Sequence, residues 1–427
     1  MLFETHAIKI EKGLLDRMIT RLMFIYLTLI IFCYNKLLEI SMKGILMTNL
    51  IKHKRVEFSE LFYDLVFVYA ISKTTALIHH LHHGVLSLDA IFGFLMSLLV
   101  LVNSWMIQTV YTNRYGKNSL FNMVVMFINM AMLLLIANMI TNDWQSYFHA
   151  FCWMIGTLTL TLFSQYLVEY LRKSTTPANR KSIKGFLWMT GLRTVLVYLA
   201  ALLPIHLGIH VYITGILLTF IMPVLLTRKV SHFQINLPHL IERISLLVII
   251  TFGEMIMGLA DFFTLENFSI YSILYFIIMV NIFMNYFGQF DHAIDENGEN
   301  KGIFLIYSHY PIFIGLIMVT VSMSFLVAPE THHLFATSFF YTGIGLFQAA
   351  ILANGYFNKS YLHYNKTFYG IQAGIFLIGL LLSLLFSAHP TIVITIAALM
   401  TLAMEIHFTH FYMSRTKKFS TPNWDLY

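Results

Sequence analysis

The chain has 427 residues, of which 58% are hydrophobic and 11% are charged, and its net charge is +6. A soluble domain carries about 25% charged residues, so this chain has too little charge to cover a water-exposed surface of its size. Its apolar residues form continuous blocks long enough to cross a bilayer as helices, and a membrane β-barrel would instead show short alternating segments. The composition predicts an all-α fold, a polytopic membrane helix bundle.

The same composition limits the partners and cofactors. The basic residues are spread over many short loops, which favours the lipid bilayer as a partner over nucleic acid. The two cysteines, Cys33 and Cys152, stand in apolar surroundings and predict neither a disulfide framework nor a cysteine metal site. The sequence has no phosphate-binding glycine loop and no His-Glu-x-x-His motif. We therefore expect no cofactor and no metal.

In chain order, residues 1–55 come first, and they are basic with one short apolar stretch. We interpret them as an amphipathic extension that is dispensable. Hydropathy then predicts about twelve transmembrane helices in two halves, residues 56–232 and 233–427, the second ending in a short cytoplasmic tail. The twelve spans are 60–81, 86–110, 119–140, 144–171, 184–203, 207–227, 239–260, 268–287, 303–327, 333–353, 366–387 and 390–412.

The positions of the basic residues predict the orientation. The chain has 27 Lys and Arg residues, and apart from Lys184, Arg243 and Lys366 at span entries, only Lys73 and Arg193 fall within predicted spans. All others lie in the amino-terminal segment, at the even-numbered loops or in the tail, and cytoplasmic loops carry such an excess. The sequence predicts a multi-pass membrane protein with both termini in the cytoplasm.

The two halves share short similarities. Span one opens with Glu60-Leu61-Phe62 and span seven with Glu242-Arg243-Ile244, at the same place in each half. These matches favour a parallel repeat of six plus six helices, with a site at the repeat interface as in many transporters. Chance similarity among apolar segments is the alternative.

Four acidic residues stand out in these opening helices. Glu60 and Asp64 are four residues apart and so share one helix face. Glu242 and Arg243 begin span seven, and Glu254 lies about twelve residues further along. Ionisable groups within a membrane are costly and usually mark a polar pathway, although a structural ion pair is the alternative. For Glu254 the two alternatives are a functional acid and a protonated side chain bonded to a neighbouring helix.

Further polar candidates lie near other span ends. Arg114 ends span two, where it could also be an ordinary basic anchor. Asn285 belongs to a polar stripe on span eight, and Asp291 follows that span. His309 lies early in span nine, beside Pro311. Together with the acidic residues, the candidates for a substrate or ion pathway are Glu60, Asp64, Arg114, Glu242, Arg243, Glu254, Asn285, Asp291 and His309.

Four ordered segments carry a family resemblance: ELFYDLVFV at 60–68, YTNRY at 111–115, HLIER at 239–243 followed by Gly253-Glu254, and YSHYP at 307–311. They resemble the low-temperature-requirement protein A (LtrA) family. The resemblance implies a bacterial multi-pass inner-membrane protein linked to growth in the cold. One departure is Gly288 after Tyr286-Phe287, which displaces Asp291 from the family's aromatic-acid pattern.

Three functions remain open on the sequence. The leading hypothesis is a secondary transporter or permease, because buried acids lie on corresponding helices of the two halves. The proton is its candidate coupling ion, since protonatable groups relay charge in pumps. Its substrate is a small molecule or ion that the sequence does not identify. The second hypothesis is an intramembrane enzyme acting on lipid or a lipid-linked precursor, and the third is a membrane sensor or scaffold.

Overall fold

The computed structural model describes residues 54–141, 143–173, 175–229, 235–296 and 302–420, apart from the side chains of 144, 178, 226–229 and 418–420. The predicted extension, residues 1–55, therefore lies almost entirely outside the described residues. Within them the chain is helical and forms no β-strand, which confirms the all-α class.

Twelve long helices match the twelve predicted spans one to one. They are α1 (Phe58–Ala76), α2 (Leu88–Tyr115), α3 (Leu120–Met139), α4 (Trp144–Leu171), α5 (Pro177–Leu202), α6 (Ile205–Lys229), α7 (Leu237–Ala260), α8 (Ile270–Phe287), α9 (Ile303–Val327), α10 (His333–Asn354), α11 (Lys366–Leu385) and α12 (Pro390–Ser420).

Several of these helices begin where a side chain caps the first turn. The Ser87 and Ser119 hydroxyls accept hydrogen bonds from backbone N–H groups at the starts of α2 and α3. Thr176 does the same for α5, where Pro177 takes the first helical position, and Asn365 caps α11. Such caps satisfy N–H groups that have no partner within the helix, which fixes the starting residue.

In the described part of the chain, eleven helices are long and apolar enough to cross a membrane. The exception is α1, because its 19 residues include Glu60, Asp64 and Lys73. A helix with three ionisable groups needs partners for them before it can lie among apolar helices. The surroundings of these groups are described below.

The chain divides into two compact units. The larger unit comprises Ile51–Gly258 and Glu296–Asn354, and so holds α1–α6, nearly all of α7, α9 and α10. The smaller unit's described residues fall within Leu259–Asp295 and Gly355–Tyr427 and include α8, α11 and α12. The predicted repeat of 56–232 and 233–427 stays a prediction.

Within the larger unit, α9 and α10 pack with their backbones nearly in contact. A Cβ atom added to Gly315 would lie 2.5 Å from the carbonyl oxygen of Gly343, and one added to Gly343 would lie 2.9 Å from that of Gly315. Small residues allow this approach, which increases van der Waals contact where apolar lipid provides no hydrophobic driving force. Gly253 of α7 is different, because among the described residues no neighbouring atom lies within 4 Å of its added Cβ.

Within the smaller unit, α8 packs against α12 through its polar stripe. Asn281 donates a hydrogen bond to Thr401 at 3.0 Å, and Asn285 is bonded to Glu405. A π-helical turn, Gly288–Ala293, ends α8, and a Cβ on Gly288 would lie 2.3 Å from the Phe408 ring. The glycine that departs from the family pattern thus makes room for α12.

We predict that Gly315→Ala destabilises the larger unit by about 1–3 kcal/mol, the usual cost of overpacking, because its methyl group meets backbone rather than a movable side chain. Gly253→Ala is the matched control: it adds the same methyl in open space and should be neutral or slightly stabilising. Thermal unfolding of both purified variants in detergent measures the difference. Equal unfolding temperatures for the two would contradict the close crossing.

Candidate functional site

The strongest candidate site lies at the amino-terminal ends of α1 and α7 in the larger unit. Glu60 and Asp64 of α1 meet His239 and Arg243 of α7, and we call these four residues the carboxylate–arginine network. None of them is more than 3% exposed. Each pair is spaced by four residues, so each helix presents both of its members on one face.

Arg243 holds the network together. Its Nη1 donates to Glu60 Oε2 at 2.8 Å, and its Nη2 donates to Asp64 Oδ1 at 2.7 Å. One guanidinium therefore binds carboxylates one helical turn apart. Such short charge-assisted bonds are the strong kind, and they offset part of the cost of burying the charges. The predicted common face of Glu60 and Asp64 is confirmed by this shared partner.

The hydrogen-bond partners of Asn113, at the end of α2, fix the tautomer of His239. Asn113 Oδ1 accepts the backbone N–H of Asn236 at 3.0 Å, so its Nδ2 is the donor towards His239 Nδ1, also at 3.0 Å. Nδ1 of the imidazole must then be the acceptor, and Nε2 carries the hydrogen that it donates to Glu60 Oε2 at 3.1 Å. Glu60 of α1 is thus linked by directional hydrogen bonds to α7 directly, and to α2 through His239.

Trp105 of α2 completes the surroundings of Asp64. Its Nε1 donates to Asp64 Oδ1 at 2.7 Å, and its fully buried ring lies 5.3 Å from the Arg243 guanidinium carbon. The indole therefore donates to the anion and contacts the cation with its π-face. Asp64 Oδ2 is buried without a hydrogen-bond partner, so the network has one acceptor left for a proton, a cation or a water molecule.

Lys54, just before α1, borders the network. Its Nζ donates to the carbonyl oxygens of Thr112 and of Gly116, the latter at 3.2 Å, and so caps the carboxyl end of α2. Burial lowers the pKa of the Lys54 ammonium, while the nearby Glu60 carboxylate opposes that change. The segment before α1 is thereby fastened to α2.

Glu254 lies near the other end of the same helix pair. It is 9% exposed and forms a hydrogen bond with Ser72 of α1, while its Oε2 is buried without a partner. The Lys73 ammonium of α1 lies over the ring of Tyr69, 5.4 Å from its centroid.

The other candidates in the larger unit lie apart from these contacts. Glu242 is exposed, although it is adjacent to buried Arg243. Arg114 donates to the Ser182 hydroxyl of α5 at 2.9 Å and lies over the Tyr115 ring. His309 is fully buried in α9, and its Nδ1 donates to the Leu305 carbonyl at 2.6 Å. These contacts indicate that Arg114 and His309 contribute to the packing of the helices.

Two candidates belong to the smaller unit. Asn285 is bonded to Glu405 of α12, whereas the Asp291 side chain is 58% exposed and its Oδ2 lies 3.4 Å from Nδ1 of His292. Glu405, which the sequence reasoning missed, also accepts from Thr409 at 2.9 Å and has a buried Oε2 without a hydrogen bond. The smaller unit therefore has a buried carboxyl group of its own.

Sequence reasoning also missed other members of the larger unit's site. His239 lies four residues before Arg243 inside a family-like segment, and that spacing is a signal for a shared face. Asn113 and Trp105 carry no such signal, because their partners are distant in the chain. Within the described residues, no group of three or more His, Cys, Asp or Glu side chains could hold a metal ion.

The long apolar helices and the internally satisfied charges define a class, the polytopic integral membrane proteins. A family model described as "Bacterial low temperature requirement A protein (LtrA)" matches residues 55–404. The chain therefore belongs to the LtrA family, as its four segments suggested. No curated protein matches the chain. The matched region includes the whole carboxylate–arginine network.

We predict that Arg243→Gln destabilises the protein by about 3–5 kcal/mol, because it leaves two carboxylates buried without their cation. Adding Glu60→Gln and Asp64→Asn to that variant should recover a large part of the loss, since no uncompensated charge then remains. Unfolding in detergent and the yield of monodisperse protein measure both effects.

Glu242→Gln is the control for this series, because it removes an exposed charge beside Arg243 and should change stability by less than about 0.5 kcal/mol. The network would not have the assigned role if Arg243→Gln behaved like this control. The assigned role would also be wrong if the variant that combines Arg243→Gln, Glu60→Gln and Asp64→Asn were no more stable than Arg243→Gln alone.

Proposed function

We propose that this LtrA-family protein is a secondary transporter in which α1 and α7 separate and rejoin during the transport cycle. The observation that carries this proposal is that polar contacts join these two helices near both of their ends. The carboxylate–arginine network joins their amino-terminal ends, and Ser72–Glu254 joins them twelve residues further along. Twelve helical residues span about 18 Å, more than half of the hydrocarbon core.

These contacts also give the direction of the helices. Glu60 meets Arg243 and Ser72 meets Glu254, so the paired positions advance together and α1 and α7 run parallel. In a parallel six-plus-six repeat, α1 and α7 would be the first helices of the two halves and would lie parallel at the repeat interface. Transporters bind their substrates at such an interface.

Transport by alternating access needs a barrier on each side of a central site, with each barrier opening in turn. Contacts between charged or polar side chains are suited to this role, because water and substrate can replace their partners when they separate. Between the two contacts, Phe67 and Ala70 of α1 are buried, and so are Leu247 and Thr251 of α7, whereas Leu65 and Tyr69 of α1 are exposed.

We propose the proton as the coupling ion. The Glu254 carboxyl group is bonded to a neutral hydroxyl, and one of its oxygens has no partner. A buried carboxylate without a cation is costly, so it is stabilised by binding a proton and can release that proton when its side of the path opens to water. Asp64, which also has an unpartnered oxygen, is the second group for such an exchange.

We further propose that the protein lies in the bacterial inner membrane with the amino-terminal ends of α1 and α7 at the cytoplasmic face. The distribution of Lys and Arg supports this orientation. The carboxylate–arginine network would then be the cytoplasmic barrier, and Ser72–Glu254 the external one. The description of the family, low temperature requirement, supports a role in growth in the cold.

The decisive experiment compares Glu254→Gln with wild-type protein in liposomes that contain a pH-sensitive dye. Amino acids, mono- and dicarboxylates, nucleosides, sugars and polyamines are added in turn. We expect a solute-dependent proton flux in wild type and its loss in Glu254→Gln, because the amide cannot exchange a proton. Glu242→Gln on the same helix is the matched control and should retain the flux.

Other outcomes would reject the proposal. Equal fluxes in Glu254→Gln and wild type would exclude Glu254 as the coupling group. Absence of flux with every solute, together with mass changes in the vesicle lipids, would instead support the second hypothesis, an enzyme acting on lipid.

A further inference from the structure

We propose that Arg193 forms the centre of a binding site for a small monovalent anion, either a free inorganic anion or the carboxylate of an organic solute. The inference names the chemical class of the substrate and in that respect rests on the transport proposed above. The binding itself can be tested without transport.

Arg193 is a buried cation that has no acidic partner among the described residues. It lies on α5 in the larger unit and is 3% exposed. Its Nη1 donates to the Asn103 amide oxygen at 3.1 Å, and its nearest electrostatic neighbours are the hydroxyl groups of Tyr212 and Tyr310. In the described part of the chain, these contacts include no carboxylate. Arg243, the other deeply buried arginine, has two.

The contrast matters because burying an unpaired charge is costly. Arginine keeps its charge in proteins, so it cannot escape that cost by losing a proton as lysine can. Asn103 supplies only a partial negative charge, and its oxygen is shared with the Thr219 hydroxyl at 3.0 Å and with Tyr310. A bound anion would neutralise the guanidinium where the protein does not.

A cavity beside Arg193 provides the space. It has a volume of about 20 Å³, enough for a water-sized group, and is bordered by α1, α2, α3, α4 and α5. Its wall is rich in polar side chains, including Ser104, Gln108, Asn129 and Thr190. A cavity inside a membrane bundle needs such a lining only if it holds water or a polar solute.

Two hydrogen-bond donors on this wall have no partner. Arg193 Nε and Gln108 Nε2 are both buried without a hydrogen bond, and both residues border the same cavity. Gln108 is 2% exposed, so neither donor is satisfied by bulk water. Two unused N–H donors, one of them charged, are suited to binding an anion with one or two acceptor atoms.

The test measures anion binding to the purified protein in detergent by titration calorimetry, in a HEPES–Tris buffer without other added salt. Sodium bromide and sodium nitrate probe the inorganic anions, and sodium formate and sodium acetate probe the carboxylates. We expect saturable binding with at least one of these two groups. Binding of bromide and nitrate alone identifies an inorganic anion site, whereas binding of formate or acetate identifies a carboxylate site.

Three variants locate the site. Arg193→Gln should weaken binding about tenfold or more, the effect of losing one charge-assisted hydrogen bond. Gln108→Leu should weaken it by about threefold to tenfold, since it removes a neutral donor. Lys181→Gln removes an exposed cation from the same helix and should leave the affinity unchanged.

The proposal is overturned if wild-type protein binds none of the four anions, or if Arg193→Gln binds them as tightly as wild type. If Arg193→Gln does not accumulate in folded form, Gln108→Leu provides the test, because it keeps the positive charge of Arg193. Anion affinity equal to that of wild type in Gln108→Leu would then contradict the site. Anion binding without flux in liposomes would leave the site standing and reject transport. Flux in liposomes without anion binding would reject the anion site and leave the transport proposal standing.

Discussion

The binding of two carboxylates by one guanidinium inside an apolar bundle is the interaction on which the rest of the larger unit depends. Without Arg243, α1 would bring Glu60 and Asp64 into surroundings where each charge costs several kcal/mol. With it, a helix that carries three ionisable groups can pack among the apolar spans. The network therefore explains both the unusual composition of α1 and its position beside α7.

Many other polar groups in the helices are satisfied locally, which separates them from the buried atoms that have no hydrogen bond within the described residues. Many threonine hydroxyls donate to the carbonyl four residues earlier in their own helix, which adds no contact between helices. Examples are Thr74, Thr75, Thr159, Thr190, Thr251 and Thr320. Against this background, the unpartnered atoms of Asp64, Glu254, Arg193 and Gln108 need another explanation. Proton exchange and ligand binding provide one.

The sequence predicted the helices well because the length of an apolar block and its end residues are local properties. It also predicted that Glu60 and Asp64 share a face, since four residues bring side chains to the same side of a helix. It could not predict which helices meet: Arg243 and its two carboxylates are far apart in the chain. Nor could it separate Glu242 from Arg243, because neighbours on a helix point about 100° apart and only the packing shows which one is buried. Arg193 appeared simply as one of two intramembrane cations, because the absence of an acidic partner is a property of the folded bundle.

The two sites proposed for the larger unit are connected through short segments of α1 and α2. Tyr63 borders the cavity beside Arg193, and the next residue, Asp64, is bound by Arg243. On α2, Asn103 accepts from Arg193, and Trp105, two residues later, donates to Asp64. Because a helix moves as a rigid element over one turn, separating α1 from α7 would displace Tyr63 and so change the wall of the cavity. An anion in that cavity would in turn favour the arrangement of α1 that it fits best, because a ligand shifts a conformational equilibrium only by its difference in affinity between the two states. The same contacts that close the helix pair would thereby link its opening to the occupancy of the site.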